Sequence, residues 1–315
     1  MKSVSEAVEA GLLKKSVGDL DLRRNSGLFM KVAVVSETKS FFICRNNEPT
    51  ETTSEMFFGY DRVVVPGPKW RGAERGTALT LFRWAGAVPE NYHRNAVSAK
   101  SLLKNPVSLI YGDSSTGSGR EAASIASRCY YDWSYSYEPM GAITERLTHN
   151  SLSDTGTILM DEQGNVQRNA IYNTQYVKPG VKFVRFISLE NASLDMLKVV
   201  IATTLKTTRY GARTSILGDN MQNTVVAVGF SKGDRGVTSY SVMEECWESG
   251  SWNPEKTIIE QMQAAYGDSL LTGEGLENLI SDARHLAANR DELRTVAEQM
   301  ISKMEQDWAE FWRSQ

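Results

Sequence analysis

A lysine, two threonines, an arginine and a tyrosine stand in a row at Lys206, Thr207, Thr208, Arg209 and Tyr210, with Gly211 next. Cations and hydroxyls gathered in one short stretch are the groups that hold phosphate oxygens. A glycine beside them lets a polynucleotide backbone come close. Lys and Arg at a helix end also complement the helix dipole, so the row has a structural use as well. A second stretch, Gly112-Asp-Ser-Ser-Thr-Gly-Ser-Gly-Arg120, is rich in hydroxyls and backbone donors. It lacks the Lys-Ser/Thr pair that ends a nucleotide-binding P-loop, since Arg120-Glu121 follows instead. It suits contacts to RNA phosphates or sugars, and equally a plain flexible turn.

Asp113, Asp154 and Asp161 are the carboxylates available for a divalent ion. Each stands in turn-forming sequence, where Asp serves local hydrogen bonding. Cys44, Cys129 and Cys246, and likewise His93, His149 and His285, are far apart. They give no zinc spacing and no disulfide framework, which fits a reducing cytoplasm. No Ser–His–Asp arrangement or dinucleotide fingerprint stands out. We expect neither a metal nor a cofactor.

The 315 residues are 41% apolar and 23% charged, the balance of a globular protein of one or two domains. No run of about 18 uncharged apolar residues is present, so no membrane span is expected, and the N-terminus has no signal-peptide pattern. The net charge of −3 hides an asymmetry. Residues 251–315 hold 6 Lys/Arg against 12 Asp/Glu, leaving 29 against 26 in residues 1–250. The body is mildly basic and the tail acidic, which permits nucleic-acid binding by the body.

The elements that would position these residues alternate between sheet and helix. Leu28–Val35, Phe41–Arg45, Met56–Val65, Val181–Ile187 and Thr224–Phe230 read as strands. Leu109–Gly112 looks like a buried strand end, and Cys129–Tyr137 has strand composition. Residues 69–95 mix cations with aromatics, Gly and Pro, and read as an insertion or long loop. The clearest helix starts at Ser193, an N-cap with Asp195 in the first turn. Leu194, Leu197, Val200, Ile201 and Leu205 keep its 3.6 period, and Gly211 is the expected stop. A helix over Thr238–Trp247 and three amphipathic helices after Asn253-Pro254 complete an α+β sandwich of a sheet backed by helices.

From Ile143 to Phe183 the turn signals Asp154-Thr-Gly156 and Asp161-Glu-Gln-Gly-Asn165 separate short β-rich pieces. A two-stranded extension with polar tips is the simplest reading. Such a ribbon cannot bury a core by itself, so it reaches toward a partner or is an ordinary surface hairpin.

These residues resemble the RNA-binding backbone subunit of CRISPR interference complexes, the Cas-seven family. Tyr176-Val-Lys-Pro-Gly-Val-Lys-Phe183 is similar to the segment that follows the family's thumb. Lys206-Thr-Thr-Arg-Tyr-Gly-Ala212 and Leu109-Ile-Tyr-Gly-Asp-Ser114, with Gly119-Arg120 downstream, resemble the type I-D branch. The resemblance covers roughly residues 100–230 well and the first 60 loosely. It implies a modified RNA-recognition (RRM) fold, a ferredoxin-like sheet as palm and a β-hairpin as thumb. Residues 1–250 would form the palm, with an insertion at about 66–100 and the thumb at about 143–177, and residues 251–315 the acidic helical segment. Several copies would line up along one guide RNA (crRNA) with the large, small and guide-end-capping subunits, and present the guide in segments to target DNA.

Carried over position by position, Ser114, Ser115, Arg120, Lys206, Thr207, Thr208, Arg209 and Tyr210 would hold guide phosphates or sugars. Ile143, Arg146, Arg168, Tyr172 and Tyr176 would belong to the thumb. Lys69, Arg71, Arg75 and Arg83 would touch target DNA. Some relatives carry cysteines where this chain has Lys104-Asn-Pro-Val-Ser108, so no metal is expected there. Relatives in type III complexes cut RNA with a loop aspartate. The corresponding rival here is a ruler-like metal-dependent nuclease using Asp154 or Asp161. A third reading is an assembly protein without nucleic acid.

Overall fold

The computed structural model describes residues 1–46, 48–150, 163 and 171–313. The chain enters through α1 (Val4–Glu9), whose first turn is capped by the Ser3 hydroxyl, and continues into β1 (Leu28–Thr38). The run at Met56–Val65 folds into a hairpin of β2 (Ser54–Phe57) and β3 (Tyr60–Val65). Helices α2 (Gly67–Trp84) and α3 (Pro106–Tyr111) follow. Four short strands come next: β4 (Asp113–Ser114), β5 (Ser124–Ile125), β6 (Cys129–Tyr131) and β7 (Ser134–Tyr135). One turn of helix, α4 (Met140–Ile143), leads into β8 (Thr144–Asn150) and β9 (Ile171–Val177). Then come β10 (Lys182–Glu190), α5 (Leu194–Lys206), α6 (Thr214–Leu217) and β11 (Met221–Lys232). The last part holds α7 (Ser239–Glu248), α8 (Pro254–Tyr266), β12 (Leu270–Leu271), α9 (Gly273–Ala288) and α10 (Arg290–Asp307).

The central sheet is antiparallel, in the order β12-β11-β1-β10-β6. From Leu28 to Val35 β1 is apolar except for Lys31, because both its faces are covered. Met30, Val32 and Val34 pack in one cluster with α2, α5, α9 and α10, while Ala33 and Val35 pack in another with α7 and α8. That division follows the two-residue period of a strand. The acidic tail therefore completes both layers. Leu276, Leu279, Leu286, Leu293 and Met300 are buried in the first cluster, each such side chain contributing about 1.5–3 kcal/mol. Among the described residues no helix is long and apolar enough to cross a membrane.

Four expectations differ from what the chain does. Residues 67–84 are an 18-residue helix, not a loop. Trp70, Ala78, Leu79 and Phe82 are buried along one side of it, and this packing outweighs the low helix propensity of Gly72 and Gly76. Leu109–Tyr111 ends a helix capped by Asn105, with Gly112 at φ 71 as its stop. Phe41–Arg45 forms no ladder. Its backbone bonds are shared out instead: Phe42 to Val177, Ile43 to Ala212 and Cys44 to Thr53. Cys129–Tyr137 breaks into two strands, β6 on the central sheet and β7 on the sheet of β2 and β3.

β8 and β9 form the antiparallel ribbon expected after Ile143, in register from Thr144 opposite Val177 to Asn150 opposite Ile171. Arg168 lies outside the described residues, as do Asp154 and Asp161.

Candidate nucleic-acid interface

α5 delivers the Lys206–Tyr210 row. Ser193 caps the helix through the amide of Met196, and Asp195 sits in its first turn. The helix ends at Lys206, five residues before Gly211. The row then alternates: Lys206, Thr208 and Arg209 are exposed, Thr207 and Tyr210 buried. Gly211 has a different task from the one expected. At φ +80, a Cβ there would stand 2.2 Å from the Ile43 carbonyl oxygen, so only glycine lets the row press against the Phe42–Cys44 segment.

Tyr210 points into a buried polar network rather than toward a ligand. Its hydroxyl donates to Glu74 at 2.8 Å, and Asn223 donates to it at 3.0 Å. Burial first, then the Glu74 carboxylate, push the phenol far above its usual range, so it stays protonated. Glu74 also accepts from Tyr131 and Thr204 and pairs with Arg185 at 2.6 Å, both partners of the pair wholly buried. The Arg185 guanidinium lies 4.7 Å from the Trp70 ring. Helix α2, the sheet and the Lys206–Tyr210 row are thus locked to one ionic node. Thr207 adds a hydroxyl contact of 2.7 Å to Thr77 of α2.

Between α2, the row and Arg45, Asn46 and Pro49 lies an open groove of about 960 Å³. Among the described residues five cations line it, Arg45, Lys69, Arg94, Lys206 and Arg209, against one carboxylate, Asp219. Gly72, Ala73, Gly76, Thr77 and Thr80 form the floor on α2, small residues three and four apart that share one helix face. Arg94 lies across that floor and donates to the Gly72 carbonyl at 2.7 Å. Asp219 accepts from both Arg209 at 2.7 Å and Thr208 at 2.9 Å. These two bonds, Arg209 first, hold its carboxyl below the ordinary value.

The ribbon stands beside the groove. Val177 of β9 exchanges backbone bonds with Phe42, and Gln175 donates its amide to Thr50. Phe42 and Thr50 therefore join the ribbon base to the groove wall. Ile143 and Tyr176 are buried at that base, and Tyr176 meets His149 at 2.9 Å. Arg146 is exposed and paired with Glu51. Tyr172 lies on β9 in register opposite His149.

A family model described as Csc2 Crispr matches residues 24–306. The chain belongs to the Csc2 CRISPR family. A crystal structure of Thermofilum pendens Csc2 has the same fold at TM-score 0.60 and 14% identity, covering 93% of this chain and 94% of that one. A chain described as CRISPR RNA-guided surveillance complex, pre-nicking, is similar at TM-score 0.49 and 10% identity, covering 82% of this chain and 99% of that one. No curated protein matches.

The remaining expected residues of this Csc2-family chain are spread over several sites. Ser115 closes the β4–β5 hairpin by donating to the Glu121 carbonyl and accepting from Ala123. Ser114 is exposed on β4, and neither serine lines the groove. Arg120 lies in a single 3₁₀ turn over Gly119–Glu121. The four cations of α2 point different ways. Lys69 faces the groove, Arg71 reaches the Gly112 carbonyl, and Arg83 holds the Tyr92 carbonyl. Arg75 is buried against Asp113 at 2.6 Å, which also occupies one of the three candidate metal carboxylates. Among the described residues no cluster of His, Cys, Asp or Glu could hold a metal. Arg45 and Arg94 were not singled out from the sequence. Arg94 belongs to the 69–95 stretch of cations and aromatics, while nothing in the neighbours of Arg45 along the chain marks it.

Proposed function

We propose that this chain is a non-catalytic backbone subunit of a CRISPR interference complex of the type I-D branch, and that it binds guide-RNA sugar-phosphate in the groove over α2. The observation that carries the proposal is the convergence of five cations on a floor of small residues, directly beside the base of a two-stranded ribbon. Lys206, Thr208, Arg209, Lys69, Arg45 and Arg94 are the contacts to guide phosphates. Tyr210 and Thr207 brace them from inside, while Arg71, Arg75 and Arg83 brace the segment 89–113 rather than reach for target DNA.

Two further features support the reading. β1, β6, β10 and β11, with α2 and α5 on one face, follow the β-α-β-β-α-β order of ferredoxin-like sheets, as an RRM-like palm requires. The ribbon is then the thumb, closing over the guide and spacing its segments for pairing with target DNA. Copies of the chain repeat along one guide, beside the large, small and guide-end-capping subunits.

Phosphate contacts carry no sequence information and make binding steeply salt-dependent. The test is co-expression with guide RNA and the sister subunits, followed by sizing of the co-purified RNA and titration of the purified chain with unrelated single-stranded RNAs. The expected result is guide-length RNA and affinities that differ little between sequences. Loss that depends on spacer sequence in Lys206→Ala or Arg209→Ala would overturn the mechanism. Regularly spaced cleavage with magnesium or manganese would favour the nuclease.

A further inference from the structure

A surface away from the groove carries a separate feature. β2 and β3 turn at Phe58-Gly59, both in the left-handed region at φ 50 and φ 76. The Phe58 ring stacks on α7, 5.8 Å from Tyr240 and 5.7 Å from Trp247. Phe57 packs edge-on against Tyr135 at 4.9 Å. The hairpin tip is thereby fixed to α7. Beneath it the Arg62 guanidinium, wholly buried, lies 4.8 Å from the Trp247 ring and 6.0 Å from Tyr60, and its Nη2 has no hydrogen-bond acceptor.

Above this node aromatic side chains remain in solvent: Tyr60 at 49% exposure, Tyr240 at 38% and Trp247 at 36%; Met56, opposite Asp61 in the ladder, projects from the other face of the hairpin. Held rigid by stacking, they lose little conformational freedom on contact, the property of aromatic anchors at protein interfaces. Every outward charge on the two elements is negative. Glu55 and Asp61 flank the hairpin, and Glu244, Glu245 and Glu248 stand on α7. Their only cation is the inward-facing Arg62. Asp61 lies on the hairpin's other face, but the carboxylates beside the aromatics still repel a phosphate backbone, so a nucleic acid does not suit this face.

Resting on the reading of the chain as a subunit of an assembly, the geometry points to a docking surface for a different protein subunit, through a segment that sets Lys or Arg side chains around an apolar centre. Its apolar residues cover Tyr60, Tyr240 and Trp247, and its cations meet Glu55, Glu244 and Glu248.

The test uses the complex assembled with guide RNA and the sister subunits, with p-benzoylphenylalanine in place of Tyr60, which lies beside Trp247. After irradiation the cross-linked partner is identified by peptide mass. The expected partner is a net-basic peptide, with aliphatic or aromatic residues, from another subunit. Trp247→Ala combined with Glu244→Lys and Glu248→Lys then lowers incorporation of that subunit at least ~10-fold, the loss expected for a central aromatic anchor, while the guide stays bound. A cross-link to RNA or DNA, to a second copy of this chain or to an acidic peptide, or none at all, overturns the proposal. RNA content is measured on the same material, so loss of RNA from the unmutated complex counts against the guide-binding reading alone.

Discussion

The Arg209 guanidinium and the Asp219 carboxylate stand 2.7 Å apart on the rim of the groove, both about two-thirds exposed. Thr208 donates to the same carboxylate oxygen. Asp219 thus occupies the place a phosphate oxygen would take, and a bound strand must displace it. Exposed pairs of this kind contribute little, because water and salt screen them. Asp219→Ala should therefore tighten single-stranded RNA binding by roughly 1.5- to 5-fold. Arg209→Ala should weaken it and lower the salt slope by about 0.7. RNA titrations at several salt concentrations read both. If both variants weaken binding alike, the pair merely props the loop.

The depressed carboxyl of Asp219 fixes the sign of a pH effect. A carboxyl held low in the fold is ionised above its ordinary value near 3.9, and its contribution is lost only as pH falls through the lower, folded value. The affinity ratio between Asp219→Ala and the unmodified chain should stay constant from about pH 5 to pH 8. A ratio that drifts across that window would place another titrating group in the groove.

Tyr210→Phe should separate stability from grip. It removes the donor to buried Glu74 and the acceptor for Asn223, a loss of about 1–3 kcal/mol. The folded fraction should bind RNA as before. Glu74→Ala leaves Arg185 buried without its carboxylate and should cost about 3–5 kcal/mol. Denaturant unfolding measures both, and an RNA defect in folded Tyr210→Phe would put its hydroxyl back among the ligand contacts.

Gly72→Leu should do the reverse. A Cβ at Gly72 meets nothing within 4 Å and points into open groove. The substitution should gain about 0.5–1 kcal/mol of helix stability. It should also weaken RNA binding by roughly 10-fold or more, the loss of one charge-assisted contact. A more stable variant with intact binding would move the RNA off this floor.

Local patterns in the sequence marked what local forces decide. Ser193 with its periodic apolar face identified α5, and Asn253-Pro254 identified α8. The exposed cations Lys206 and Arg209 were legible because a helix end and turn residues frame them. α2 was not, because Gly72 and Gly76 argue against a helix and only tertiary burial of Trp70 and Phe82 overrules them. The inward turn of Tyr210 was hidden as well, since its partner Glu74 lies 136 residues away. Arg45 and Arg94 join the groove by the same kind of distant packing.

Helix α2 offers Gly72 and Gly76 to the groove, and between them, on its other side, Glu74 holds Arg185 and Tyr210. Groove floor and interior share one rod. On the guide-binding proposal, a screen for lost RNA binding would therefore recover changes at Glu74, Trp70 and Arg185 alongside those at Lys206 and Arg209, although the first three side chains do not line the groove. Drift at those hidden positions should be as constrained as at the surface that grasps.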